Sequence, residues 1–385
     1  MELTLNPDLL QWARERARLS VDGLALKMGL VPKRVQEWEE TGRIKMDWAD
    51  KLALKTHTPV GYLYLKEPPE VKLDIPDFRT LADTGVRRPS VELIDTVDIA
   101  ILRQDWYREF LVAEGEDPLA FVGSIAQTMS VVKAAGSIRN AMDLGTEVRR
   151  QESTWEDALR TMIAHIEERG ILVMRNGVVG NNTHRPLSVE EFRGFAIADE
   201  FAPLIFINGA DYLSAQMFTL AHELVHVFVN ASGISNLQDT YSSNNAIERF
   251  CNQVAAELLV PEAELRPLHA AIAINGDPTD RLARHFKVSI MVMLRRLRDL
   301  DLITQKEFVA RISAIKAKFD AQRAQRPPGG SFFNTYRTRT SGRFARALVA
   351  STLEGRTSHR EALKLLGLSK YETFQKVARE FNFQV

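Results

Sequence analysis

With a single cysteine, Cys251, the 385-residue chain cannot close a disulfide within itself, which points to a reducing compartment. No charge sign is in excess: 50 lysines and arginines balance 50 aspartates and glutamates. Any attraction to nucleic acid must therefore come from local patches rather than from the field of the whole chain. Long hydrophobic runs are missing as well. No apolar stretch reaches the ~20 residues that a membrane-spanning helix needs. The opening "MELTLNPDLL" has neither the basic nor the apolar segment of a secretory signal. These absences lead to the expectation of a cytoplasmic protein with no membrane partner. What is present, 45% hydrophobic and 26% charged residues, suits an ordinary globular chain of about two to three domains.

Patterning divides the chain into six segments. Residues 1–66 predict a compact set of short helices. Asn6-Pro7 would cap one that runs to about Arg18, and Ser20 would open a second that Gly29 ends. A third would run from Val31-Pro32 to about Glu40, "MDWADKLALKT" would make a fourth, and Pro59 would open a short fifth. Residues 67–90, with the proline-rich "KEPPEVKLDIPDFRT", have the composition of a linker. Residues 91–150 are a helical connecting region. In residues 151–270 the period changes: "ILVMRNG", "FRGFAIAD" and "PLIFING" are short β-branched and aromatic runs that predict strands. Residues 271–326 predict a helical pair and a further helix. "RPPGGS" marks a boundary before the basic helical segment 327–385, where Arg337, Arg339, Arg343 and Arg346 precede any acid. The fold class expected is mainly α with a small β-sheet, α+β.

"FTLAHELVHVFVN" contains the pattern His-Glu-x-x-His. Residues four apart share one face of a helix, so His222 and His226 can offer imidazoles to one ion. Glu223 lies about 100° round the helix from His222, close to such an ion but outside its ligand shell, where it can accept a proton from water. The alternative is a chance match on a polar helix face. Here Phe218, Leu220, Ala221, Leu224, Val225, Val227 and Phe228 surround the trio, and a buried polar trio without a shared ion is costly. A third ligand is needed, with Asp239, Glu248, Glu257, Glu262 and Glu264 as candidates downstream. Glu248 opens the next helix beside the stripe of Ile247, Phe250, Cys251, Val254 and Leu258. Glu257 falls on the far side of that stripe and is expected to meet solvent. A carboxylate at Glu248 can point inward, and spacing alone favours it only modestly.

"MFTLAHELVHVF" followed by "IERFCNQVAAELLVP", with "RGFAIAD" and "PLIFING" upstream, resembles the ImmA/IrrE family of metallopeptidases over about residues 155–265. The resemblance implies a zincin-like core flanked by helix-turn-helix-like helical domains. It implies a gluzincin-like zinc endopeptidase with His222, His226 and Glu248 as metal ligands and Glu223 as the catalytic base. Zinc is the implied ion, with another divalent ion such as manganese as the alternative. Val225 departs from the family, which often has a small residue there. Family members typically cleave a repressor, so a repressor-like or antitoxin-like protein of helix-turn-helix type is the expected substrate. Stress response, mobile-element control or phage defence is the expected setting. A zincin sheet commonly presents an edge strand to substrate, and "RGFAIAD" or "PLIFING" is expected to supply it.

"VDGLALKMGLVPKRVQEWEETGRI" resembles the helix-turn-helix of Xre/Cro-type repressors, within about residues 7–65. Ala25, Gly29, Val35 and Trp38 fit the packing of such a pair. By matching position, Lys33, Arg34 and Gln36 would meet DNA. Pro32 and the acids Glu37, Glu39 and Glu40 leave protein docking as the alternative for this domain. "DRLARHFKVSIMVMLRRLRDL" also looks like a helix-turn-helix, read as structural or substrate-gripping. In the basic tail, Phe332, Phe333 and Tyr336 alternate with arginines, a mix that could clamp single strands; a helical cap with a solvated basic face is the alternative. Cys251 is expected to pack, Tyr241 to be a loop aromatic or an oxyanion donor, and His57, His165, His184, His269, His285 and His359 to lie at surfaces or core edges. Two rival functions remain: a DNA-binding regulator whose peptidase fold only senses, and a toxin–antitoxin or defence component acting by protein contact.

Overall fold

The apolar residues gather into separate cores in two compact units, Met1–Asp74 with Arg87–Val97, and Ile75–Val86 with Asp98–Val385. The structure, a computed structural model, describes residues 1–70, 73, 75–76, 89–235, 246–273, 277–323 and 332–384.

In the first unit the helices Pro7–Arg16, Val21–Met28, Pro32–Thr41 and Met46–Thr56 start and stop where local chemistry directs. The Asn6 side chain accepts from the Asp8 amide, and Ser20 Oγ accepts from the Gly23 amide. Gly29, at φ 71°, takes the left-handed conformation that ends the second helix. Leu10, Ala13, Leu24, Ala25, Val35, Trp38 and Leu52 form the core between them. Three details differ from expectation. The first helix ends at Arg16, the segment after Pro59 is a 3₁₀ helix, Val60–Tyr64, and the unit is not wholly helical. Glu2–Thr4 pairs antiparallel with Arg43–Lys45, Leu3 opposite Ile44. Strands of three residues are too short to show a period. Most of the linker 67–90 lies outside the described residues.

Besides the antiparallel pair Val178–Val179 with Asn182–Pro186, the second unit is mainly helical around one four-stranded sheet. Its four strands run in the order Leu172–Asn176, Leu204–Asn208, Gly194–Ile197, Gly233–Ser235. The first pair is parallel and the others antiparallel. One sheet face, with Val173, Ala196, Ile205 and Ile207, joins Leu220, Ala221, Leu224 and Val227 of the helix Leu213–Val229 in a single core. On the other face Phe195 and Phe206 stack with ring centroids 4.9 Å apart. The helix Ala246–Leu259 packs against Leu213–Val229. Leu282, Phe286, Met293, Leu294 and Leu297 of the helical pair Thr279–Phe286 and Ile290–Asp299 extend the same core.

The sheet order corrects one expectation. "RGFAIAD" and "PLIFING" are interior strands, each paired on both sides. The edge near the motif helix is Gly233–Ser235, too short to be read from sequence. Its outward amide, that of Ile234, donates to the Pro76 carbonyl at 2.9 Å.

The basic tail folds into the helices Phe332–Thr340, Gly342–Leu353, His359–Leu366 and Tyr371–Glu380. Tyr336 is buried and donates to the Leu366 carbonyl at 3.0 Å, so it offers no face to a base. Arg343 Nε donates to the Tyr107 hydroxyl at 2.6 Å, and Arg337 and Arg346 sit over the Phe381 ring. The aromatics Phe332 and Phe333 fall among residues whose side chains are not described. Among the described residues no helix is long and apolar enough to cross a membrane.

Candidate metal centre

Leu213–Val229 carries His222 and His226 on one buried face, and the first turn of Ala246–Leu259 carries Glu248 against them. The ligand atoms of these three residues lie within 4.8 Å of one another. His222 Nε2 and His226 Nε2 are 3.1 Å apart. Glu248 Oε1 is 3.1 Å from the second and Oε2 is 3.3 Å from the first. Both histidines are fully buried, and Glu248 is 7% exposed.

This geometry fits a shared cation. His226 Nδ1 lies 3.1 Å from the Ala231 carbonyl, a contact that favours the proton on Nδ1 and a bare Nε2. Two imidazole nitrogens this close need a proton or a cation between them. Nitrogens held ~2.0–2.1 Å from one tetrahedral zinc stand about 3.3 Å apart, close to what is seen. Two nitrogens, one carboxylate and an open fourth position make a donor set that suits zinc. Burial works against the Glu248 carboxylate, yet His222 and His226 hold its pKa far below the usual range.

The other candidate ligands among the described residues are occupied elsewhere. Glu257 is buried rather than solvated, correcting the expectation, because the helix Ile290–Asp299 covers that face and Arg296 pairs with it. Glu262 pairs with Arg266 at 2.6 Å, and Glu264 accepts from Thr146 at 2.8 Å. Asp239 and Tyr241 lie outside the described residues. Cys251 is buried in the core, as expected of a packing residue, and its thiol also contacts His226.

Glu223 is fully buried beside the triad. Burial pushes its carboxyl pKa up, against the pull of His222, His226 and the Ser235 hydroxyl. Ser235 Oγ donates to Glu223 Oε1, while Oε2 has no partner among the described residues. Sequence reasoning missed Ser235, which belongs to no spaced motif and meets Glu223 only because of the sheet. A cavity of ≈ 720 Å³ is lined by Phe218, one turn before His222, and Asn252, one turn after Glu248, with Val292, Ile303, Arg249 and Arg298 among others; His222, Glu223, His226 and Glu248 do not line it. In the first unit, Lys33 and Gln36 are exposed, and Arg34 pairs with Glu37 at 2.6 Å.

The stretch that carries this site is similar to known metallopeptidases. Residues 166–298 match the family Peptidase_M78, described as the IrrE N-terminal-like domain. That stretch holds the four-stranded sheet, both motif helices and the helical pair. The chain is also similar to the radiation response metalloprotease IrrE of Deinococcus radiodurans, 32% identical over 91 residues. That similarity covers 22% of this chain and 28% of the relative's length. Residues 340–380 match a domain of unknown function, DUF8813.

Proposed function

We propose that this chain is a zinc-dependent endopeptidase that cleaves a specific regulatory protein, a repressor-like or antitoxin-like substrate of helix-turn-helix type. One observation carries the reading: His222, His226 and Glu248 converge within 4.8 Å beside the buried Glu223. The domain match and the metalloprotease named among the relatives support it. His222, His226 and Glu248 would hold the ion, which when bound supplies Lewis-acid polarisation of the scissile carbonyl and of a water. Glu223 Oε2 takes the proton of the attacking water and passes it to the leaving amine. Its burial keeps bulk solvent from competing for that proton. The cavity beside Phe218 and Asn252, lined by both apolar and charged side chains, receives a substrate side chain. An extended substrate that adds to the edge strand Gly233–Ser235 must displace the Pro76 carbonyl from the Ile234 amide.

In this reading Lys33, Arg34 and Gln36 of the first unit meet DNA, and the protein acts in transcriptional control. The Arg34–Glu37 ion pair is exposed, and such pairs are worth only ~0–1 kcal/mol, so a phosphate can replace the glutamate at little cost.

The test is metal content alongside cleavage. Glu223→Gln should retain about one zinc per chain and lose ~10²–10⁴-fold in turnover of a cleavable partner. His222→Ala and His226→Ala should lose the metal. Purified protein free of any divalent transition metal after growth in zinc, or a Glu223→Gln variant with native turnover, would refute the reading.

A further inference from the structure

We propose that Ser235 is a positioning residue that aims the Glu223 carboxylate, and that the sheet edge exists in part to carry it. This rests on the reading of Glu223 as the proton acceptor. Three observations combine. Ser235 Oγ, fully buried, donates to Glu223 Oε1 across twelve residues of sequence. The second oxygen, Oε2, is buried and has no partner among the described residues, although a buried carboxylate oxygen left unbonded is costly. The third observation lies across the strand pair, where Ser235 stands in register opposite Gly194. A Cβ on Gly194 would come within 2.9 Å of Glu223 Oε1, 2.9 Å of the Phe206 carbonyl oxygen and 2.6 Å of Thr219 Cγ2.

One cross-strand pair thus supplies both halves of a cradle. Gly194 leaves the space in which the carboxylate lies, and Ser235 bonds one of its oxygens. A carboxylate with both oxygens free can rotate about its terminal torsion, which is broad and roughly two-fold. Held through Oε1, it keeps Oε2 as the open proton acceptor. Small misplacement of an acid–base group costs turnover more than binding, because the loss falls on the reacting geometry. Ser235 touches no reacting atom in this scheme and acts only through Glu223.

The experiment uses the full-length chain, with cobalt(II) alone as the metal probe in the zinc site and a cleavable peptide for kinetics. Ser235→Ala should keep one cobalt per chain and shift the visible bands of the ion in the same sense as Glu223→Gln. Its kcat should fall about 10–100-fold, part of the range for losing a general base outright, with KM within about twofold. Ser235→Thr, which keeps the hydroxyl, should restore both the bands and most of kcat. In a Glu223→Gln background, Ser235→Ala should add little further loss. Native bands and native kcat in Ser235→Ala would overturn the proposal, as would an equal fractional loss in the Glu223→Gln background. If the native chain binds cobalt but cleaves nothing, the peptidase reading fails, and the cobalt bands still decide whether Ser235 governs the environment that Glu223 presents to the ion.

Discussion

Glu257 and Arg296 show how a single residue's meaning depends on its neighbours. In the sequence Glu257 is an acid on the far side of an apolar stripe. In the fold it is buried, accepts from the Glu262 amide at 3.3 Å and pairs with Arg296, which also donates to the Val260 carbonyl at 3.0 Å. Breaking a buried pair strands a charge and costs about 3–5 kcal/mol, whereas replacing both partners by apolar groups can be neutral. Arg296→Met should therefore lower unfolding free energy in urea by roughly that amount. The double variant Glu257→Leu with Arg296→Met should lose less than the sum of the singles. A single variant within about 1 kcal/mol of native would mean that water reaches the pair. Glu248, on the same helix, differs in kind: its carboxylate faces two histidines rather than an arginine, which makes it a metal-ligand candidate instead of a structural anion.

At the scale of elements, the C-terminal helices depend on side chains far away in sequence. Arg103, buried in the helix Val91–Glu114, donates Nε to the Leu365 carbonyl at 2.9 Å and Nη1 to the Arg339 carbonyl at 3.3 Å. Both acceptors lie near helix ends, where carbonyls lack partners within the helix. Burial lowers the Arg103 pKa to about 10, which leaves the guanidinium charged at neutral pH. Arg103→Leu should cost about 1–3 kcal/mol by leaving buried acceptors unsatisfied. The loss should appear as a lower melting temperature and as new protease cuts within residues 332–384. Cutting confined to the regions cut in the native chain would show that these helices are held without Arg103. The same packing explains why the tail's arginines and aromatics look like a nucleic-acid clamp in sequence yet serve partly as internal contacts, with Tyr336 buried and Arg343 bonded to Tyr107.

For the whole molecule, the two units pose separate questions. The first has its own core, capped helices and an exposed Lys33 and Gln36. If it meets DNA, Lys33→Ala with Arg34→Ala in the full chain should weaken binding to the DNA upstream of its own gene. Removing two phosphate contacts should also flatten the dependence of log affinity on log salt by about two. Fluorescence anisotropy over a salt series measures both. Affinity and slope unchanged from native would move the DNA contact off this helix. Cleavage of a short peptide should stay native in that variant, since the metal centre lies in the second unit.

Where short-range chemistry decides, the sequence alone was enough. Asn6, Ser20 and Gly29 cap helices through bonds to residues a few positions away, and the observed ends follow them closely. The long helices carry enough residues to display a period, and the runs 172–176, 194–197 and 204–208 are marked by their isoleucine, valine and phenylalanine and by the turn residues that bound them. His222, Glu223 and His226 lie within one turn and a residue of each other, so helix geometry fixes their common neighbourhood. What tertiary structure decided is whatever joins distant segments. Which carboxylate meets the histidines, which face of Glu257's helix is covered, which strand forms the edge and where Ser235 points all depend on packing between elements. No periodicity encodes a contact across such separations, because the side chain's neighbours there come from other parts of the chain.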